Sequence, residues 1–140
     1  MRDIINALLE DGSFKNLFAA IQAADLIDTL RSPGPYTLFA PEDYAFMELP
    51  KGVLDNLMKD PSKLKALVSY HIVAGKLTVA DLSQKKSVQT LQGQELQIDA
   101  HQWHLHVKPK INHANIKSAD NTVDNGIIHS IDKVLMPKPV

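Results

Sequence analysis

Histidine, serine and aspartate fall together at His129-Ser130-Ile131-Asp132, the residue types of a hydrolase triad. A triad needs its base within hydrogen-bond reach of the nucleophile and an acid to orient the base. The apolar run from Ile127 to Met136 reads as a final strand ended by Pro137. Successive side chains on a strand point to opposite faces, so Ser130 and Asp132 share a face that His129 does not. No G-x-S-x-G elbow presents a serine elsewhere in the chain. The trio is therefore read as part of a strand and not as a catalytic centre.

The remaining histidines are His71, His101, His104, His106 and His113. His104 and His106 alternate with Trp103, Leu105 and Val107, which puts both imidazoles on one strand face, where they could reach one metal ion. Asp99 or His113 are the candidates to complete a ligand set. The competing reading is a polar solvent face. This face, with Trp103, is the alternative functional reading: a metal- or small-molecule-binding surface.

His71 and His129 sit where apolar residues are expected. His71 follows Leu64 by seven residues and Leu67 by four, and His129 lies between Ile127 and Ile131. An unpaired buried polar group costs roughly 1–3 kcal/mol, so each is expected to find hydrogen-bond partners in a core. The functional alternative is a partly exposed Tyr70-His71 that contributes to a ligand surface. No P-loop, G-x-G-x-x-G or H-E-x-x-H is present, and no two carboxylates stand out as an acid/base pair. The expectation is no enzyme and no cofactor.

Fifteen basic and 16 acidic residues leave a net charge of −1. Nucleic acid as a main partner is not expected, because phosphate binding needs a basic excess or stripe. Lys63/Lys65, Lys85-Lys86 and Lys108/Lys110 read as solvated faces. The chain has no cysteine, which removes disulfides, thiolate metal sites and a cysteine nucleophile. No apolar run reaches the ~20 residues of a membrane span. Met1-Arg2-Asp3 leads straight into an amphipathic pattern with no signal peptide. Either the chain is cytoplasmic, or it is a mature form with an added Met. A chain of 140 residues has the usual size of one domain. One domain over 1–137 with a tail over 138–140, expected as a monomer, is the reading.

The elements that must position these residues are helical first. Ile4, Ile5, Leu8 and Leu9 recur at helical spacing up to Gly12. Ser13 is expected to cap a second helix carrying Leu17, Phe18 and Ile21, and Asp25 a third carrying Leu26, Ile27 and Leu30. Ser32-Pro33-Gly34-Pro35 breaks the pattern, and Tyr36 to Ala40 reads as a buried strand. Pro41 is placed in the first turn of a helix with Glu42 and Asp43. Val53 to Met58 is helical. Asp60-Pro61 caps a helix that ends at Tyr70-His71. After Gly75 the period becomes two. Residues 95–99 and 103–107 are expected to pair as a hairpin, and Ile111 to Ile116 to form one strand. Asn125-Gly126 is read as a tight turn of residues that tolerate positive φ. Helices followed by antiparallel strands make an α+β domain.

These residues also resemble the fasciclin-like domain family. Thr37-Leu38-Phe39-Ala40-Pro41 with Ala45-Phe46 is similar to its first motif, and Tyr70-His71-Ile72-Val73 with Gly75 and Leu77 to its central Tyr-His motif. The segment Asn125-Gly126-Ile127-Ile128-His129 through Ile131-Asp132, Val134-Leu135 and Pro137 resembles its C-terminal motif. Gly12-Ser13-Phe14 and Leu26 fit as well. The resemblance implies a wedge-shaped β-sandwich packed with N-terminal helices. It implies a mostly extracellular, non-enzymatic role in cell adhesion, matrix binding or surface attachment. It also implies a location that is secreted, periplasmic or on the cell surface. The partner it implies is a protein or polysaccharide. Animal members are thought to use the Tyr-His segment, here Tyr70 and His71, towards integrins. They also use an Asp-Ile pair before the Asn-Gly turn. Here that pair reads Asp120-Asn121, with the acid kept and the apolar residue replaced. Tyr70, His71 and Asp120 are the expected partner-binding residues.

Overall fold

A computed structural model of the protein describes residues 3–99 and 110–137. Three helices come first: α1 (Ile4–Glu10), α2 (Lys15–Ala23) and α3 (Ile27–Arg31). Strand β1 (Tyr36–Pro41) leads to α4 (Asp43–Met47), α5 (Val53–Met58) and α6 (Pro61–Ser69). Then follow β2 (Ile72–Ala74), α7 (Val79–Ser83), β3 (Ser87–Gln89), β4 (Glu95–Asp99), β5 (Lys110–Ile111), β6 (Ala114–Val123) and β7 (Gly126–Ile131). The fold is α+β, as the patterning predicts.

The strands form one mixed sheet in the order β2-β1-β7-β6-β5-β4-β3. The pairing of β1 with β7 is parallel, from Tyr36 opposite Gly126 to Pro41 opposite Ile131, where the sequence predicts antiparallel strands only. The first and last strands are joined by the whole length of chain between them, which imposes no hairpin.

Alternation along β1 and β7 divides the core in two. Leu38, Ala40 and Ile128 face the helices and pack with Ile4, Ile5, Leu17, Ile21, Leu30 and Leu64. Phe39 and Ile131 face the other way and pack with Leu82, Leu96, Ile98 and Ile111. Val73 of β2 and Val88 of β3, at opposite ends of the strand order, belong to this second cluster. Leu91 N–H also donates to Ile72 O at 2.8 Å. The sheet is therefore curled over its own inner face, and every residue of β7 is buried.

The Asp60 cap holds, its side chain accepting from Lys63 N with Pro61 in the first turn. Other local expectations fail for tertiary reasons. The first turn of α2 is capped from 27 residues away: Asn16 N–H donates to Asp43 Oδ1 at 2.8 Å, and Ser13 caps nothing. Asp25 closes α2 at φ 60, with Leu26 N–H reaching Ile21 O, and does not cap α3. Pro41 ends β1 and does not enter a helix. Ile111 to Ile116 is broken by a two-residue turn, with Asn112 at φ 47 and His113 at φ 75. The last strand stops at Ile131, not Met136.

Asn125-Gly126 is a turn for a different reason than predicted, since neither residue has positive φ. The Asn125 side chain accepts from Ile4 N and donates to Leu30 O and Ser32 O, tying α1 and α3 to the sheet. A Cβ at Gly126 would lie 2.0 Å from Tyr36 O, so glycine there admits β1. The expected hairpin partner at 103–107 lies outside the described residues, as does the tail over 138–140.

Candidate functional site: a groove framed by Tyr70 and His71

Helix α6 ends beneath the sheet because Leu64, Leu67 and Val68 bury its face and carry Tyr70 and His71 inward. Tyr70 is 4% exposed and His71 2% exposed. Both rings are almost wholly buried. The Tyr70 hydroxyl donates to Glu95 O at 3.1 Å and accepts from Asn112 Nδ2 at 2.7 Å. It thus joins β4 to the β5–β6 turn. Asn112 is further fixed by Gln97, whose N–H donates to Asn112 Oδ1.

His71 has a defined tautomer. The Leu67 carbonyl, 2.8 Å from Nδ1, can only accept, so Nδ1 carries the proton. Nε2 then accepts from Leu135 N–H at 2.9 Å. Burial lowers the imidazole pKa from 6.5 to about 4, against the Leu67 carbonyl, which favours the charged form. A second proton at Nε2 would also confront the Leu135 N–H. His71 is a neutral tie between α6 and the chain after β7.

These two ties hold the walls of a groove of about 460 Å³. Tyr70 and Leu135 line its base, and Glu95, Gln97, Asn112, His113, Lys133 and Met136 line the rest with Asp99 and Val134. Glu95, Gln97, His113, Lys133 and Met136 are exposed. Sequence reasoning missed this rim. Asn112 is 42 residues from Tyr70, and no local pattern links them.

Asp120 belongs to another network. It stands at φ 57 in an irregular stretch of β6, where the register with β7 shifts between Ser118 and Asn121. Its Oδ1 accepts from Val79 N at 2.9 Å, at the start of α7. Its own N–H donates to His129 Nδ1 at 3.1 Å, and His129 Nε2–H donates to Leu77 O at 2.7 Å. His129 is fully buried, stacks on Phe39 at 5.8 Å and has its pKa lowered, chiefly by burial. Among the described residues no hydrogen bond joins Asp120 or His129 directly to Tyr70 or His71; Phe39, stacked on His129, donates its N–H to His71 O at 2.9 Å. Ser130 donates weakly to Ser118 O at 3.4 Å, and Asp132 accepts from Asn115, so the trio of residue types shares no bond. His104, His106 and Trp103 lie outside the described residues. Among the described residues no group of three His, Cys, Asp or Glu side chains could hold a metal ion.

The fasciclin domain model matches residues 12–137. The chain belongs to the fasciclin domain family. This fasciclin domain is 38% identical over 136 residues to protein sll1735 of Synechocystis, covering 97% of this chain and 98% of that protein. It is 34% identical to human periostin over 98% of this chain, which is 16% of periostin. A solved FAS1 domain pair from the insect cell adhesion molecule Fasciclin I superposes with a TM-score of 0.77 at 19% identity. That match covers 97% of this chain and 51% of the solved one. A prokaryotic chain of comparable length thus shares the fold that longer proteins repeat or embed. Among the described residues no helix is long and apolar enough to cross a membrane.

Proposed function

We propose that this fasciclin domain is a non-catalytic binding module that attaches to a protein or polysaccharide at a cell surface or in a matrix. The observation that carries the reading is the groove beside Tyr70. Its frame is made of hydrogen bonds that consume the reactive atoms. Both nitrogens of His71 and both of His129 are engaged with backbone groups, so neither can serve as a general base without breaking the fold. Its rim carries exposed amide, carboxylate, imidazole and ammonium groups around a partly apolar floor, a composition suited to contact. Tyr70 and His71 act from beneath, by fixing Asn112 and Leu135. Asp120, whose side chain is 49% exposed, offers a carboxylate on a separate surface. Membership of the family and the likeness to a domain pair from an adhesion molecule support an extracellular or surface setting.

The test is an array of matrix proteins and surface polysaccharides probed with the parent and with Lys133→Glu and His113→Ala. Both substitutions lie on exposed rim positions and leave the frame intact. Selective binding by the parent, weakened by either substitution at unchanged melting temperature, is the expected result. Binding that neither substitution alters would place the contact elsewhere.

A further inference from the structure

A second cavity, of about 120 Å³, shares no lining residue with the groove. It lies between the α1–α2 corner and the helix-facing side of β6 and β7. Its lining interleaves apolar Ala7, Leu8, Phe14, Val123 and Ile128 with polar Asp11, Ser13, Glu42, Ser118, Asn121 and Ser130. No lysine or arginine lines it.

We propose that this cavity is a binding site for a neutral hydroxylated molecule, namely the edge of a sugar ring. The size admits roughly a benzene-sized group, since cavities of about 150 Å³ hold benzene, so one edge of a pyranose enters and the rest projects outward. Two carboxylates without a basic group reject phosphate and other anions. Serine hydroxyls both donate and accept, as sugar hydroxyls do, whereas an ammonium only donates. The apolar lining residues suit the C–H groups of the ring. Two polar groups keep acceptor capacity. Ser130 is 2% exposed, and among the described residues its hydroxyl donates to Ser118 O at 3.4 Å and accepts no bond. The Glu42 carboxylate makes no hydrogen bond among the described residues, although Glu42 N–H is fixed by Ile131 O at 3.2 Å. Asn121 is held by bonds from Nδ2 to Ser118 Oγ and Ile128 O.

The experiment is an amide ¹⁵N–¹H NMR titration of the full chain with glucose, galactose, mannose and glycerol, and with methylammonium and inorganic phosphate as controls. The account expects saturable shifts at Leu8, Ser13, Asn121 and Ile128 with at least one sugar, of millimolar affinity, and none with phosphate. Glu42→Ala removes an exposed-side acceptor, and Ser118→Leu fills the mouth from an exposed position. Each is expected to weaken sugar binding about tenfold or more while the remaining spectrum stays that of the folded parent. Absence of saturable shifts with every sugar would show that the cavity holds only water and would overturn the proposal. So would saturation by methylammonium alone, or full sugar binding retained in both variants. The groove variants Lys133→Glu and His113→Ala leave this titration unchanged, so failure of one site is distinguishable from failure of the other.

Discussion

Lowering the pH should destabilise this domain through His71, by an amount the structure sets. The imidazole is buried and neutral, with its pKa lowered from 6.5 to about 4. In the unfolded chain it returns to about 6.5. Between these values the unfolded state binds a proton that the folded state refuses, so protonation favours unfolding. The contribution of this group is fully present above pH 6.5 and is lost as the pH falls towards 4. At 1.36 kcal/mol for each pKa unit, the interval from 6.5 to 4 is worth about 3 kcal/mol. That is a large share of the 5–15 kcal/mol typical of a domain. The assay is urea unfolding at a series of pH values for the parent and for His71→Gln, which cannot titrate. At neutral pH the variant is expected to be about 1–3 kcal/mol less stable, because glutamine cannot reproduce both the Leu67 and the Leu135 bonds. Its stability should then fall less steeply, and the two profiles should approach each other near pH 4. The ¹⁵N shifts of the His71 ring report the tautomer directly, with the proton on Nδ1. Parallel profiles, or a ring that titrates near 6.5 in the folded protein, would refute the reasoning.

Gly126→Ala is expected to destabilise by about 3 kcal/mol or more, because the new Cβ meets backbone at Tyr36 O; a thermal melt reads it, and an unchanged midpoint would contradict the packing. Asn125→Asp keeps the shape but turns a carboxylate towards Leu30 O and Ser32 O, at 2.7 and 2.8 Å from the present amide nitrogen. It should cost about 2 kcal/mol at neutral pH, and the deficit should shrink on acidification as the new acid protonates, in denaturant titrations at two pH values. Tyr70→Phe should cost about 1 kcal/mol and loosen the Asn112 turn, visible as faster amide exchange at Asn112. Asp120→Ala removes an exposed carboxylate from the start of α7 and should cost no more than about 1 kcal/mol. It also removes a charge that favours protonated His129, so that ring should become still harder to protonate by NMR titration.

The sequence made the helices, the α+β class and the satisfied nature of the two buried histidines legible, because period and burial are local properties. Leu64, Leu67 and His71 share one helix face by spacing alone, and Asp60-Pro61 announces its own cap. What sequence could not show is where distant segments meet. Asp43 caps α2 from the far side of β1, and Leu135 supplies the donor that fixes the His71 tautomer. Asn125-Gly126 was legible as a turn, yet its residues are required by α1, α3 and β1 and not by turn dihedrals. The groove rim was illegible for the same reason: Glu95, Asn112 and Lys133 come together only when the sheet curls. The break at Asn112-His113 had one faint signal, an asparagine that tolerates the left-handed region.

The measurement that bears most directly on the central claim compares rim and frame in one binding experiment. Parent, Lys133→Glu and His71→Gln are assayed against the ligand that the array selects, at a pH and temperature where all three are folded. A contact surface at the groove predicts that Lys133→Glu lowers affinity at least about tenfold with no change in stability. His71→Gln should lower stability first and affinity only as far as the Leu135 wall shifts. The opposite pattern, with affinity untouched by Lys133→Glu and abolished in a fully stable His71→Gln, would contradict the claim that this domain binds through the rim and uses its Tyr-His pair as a frame.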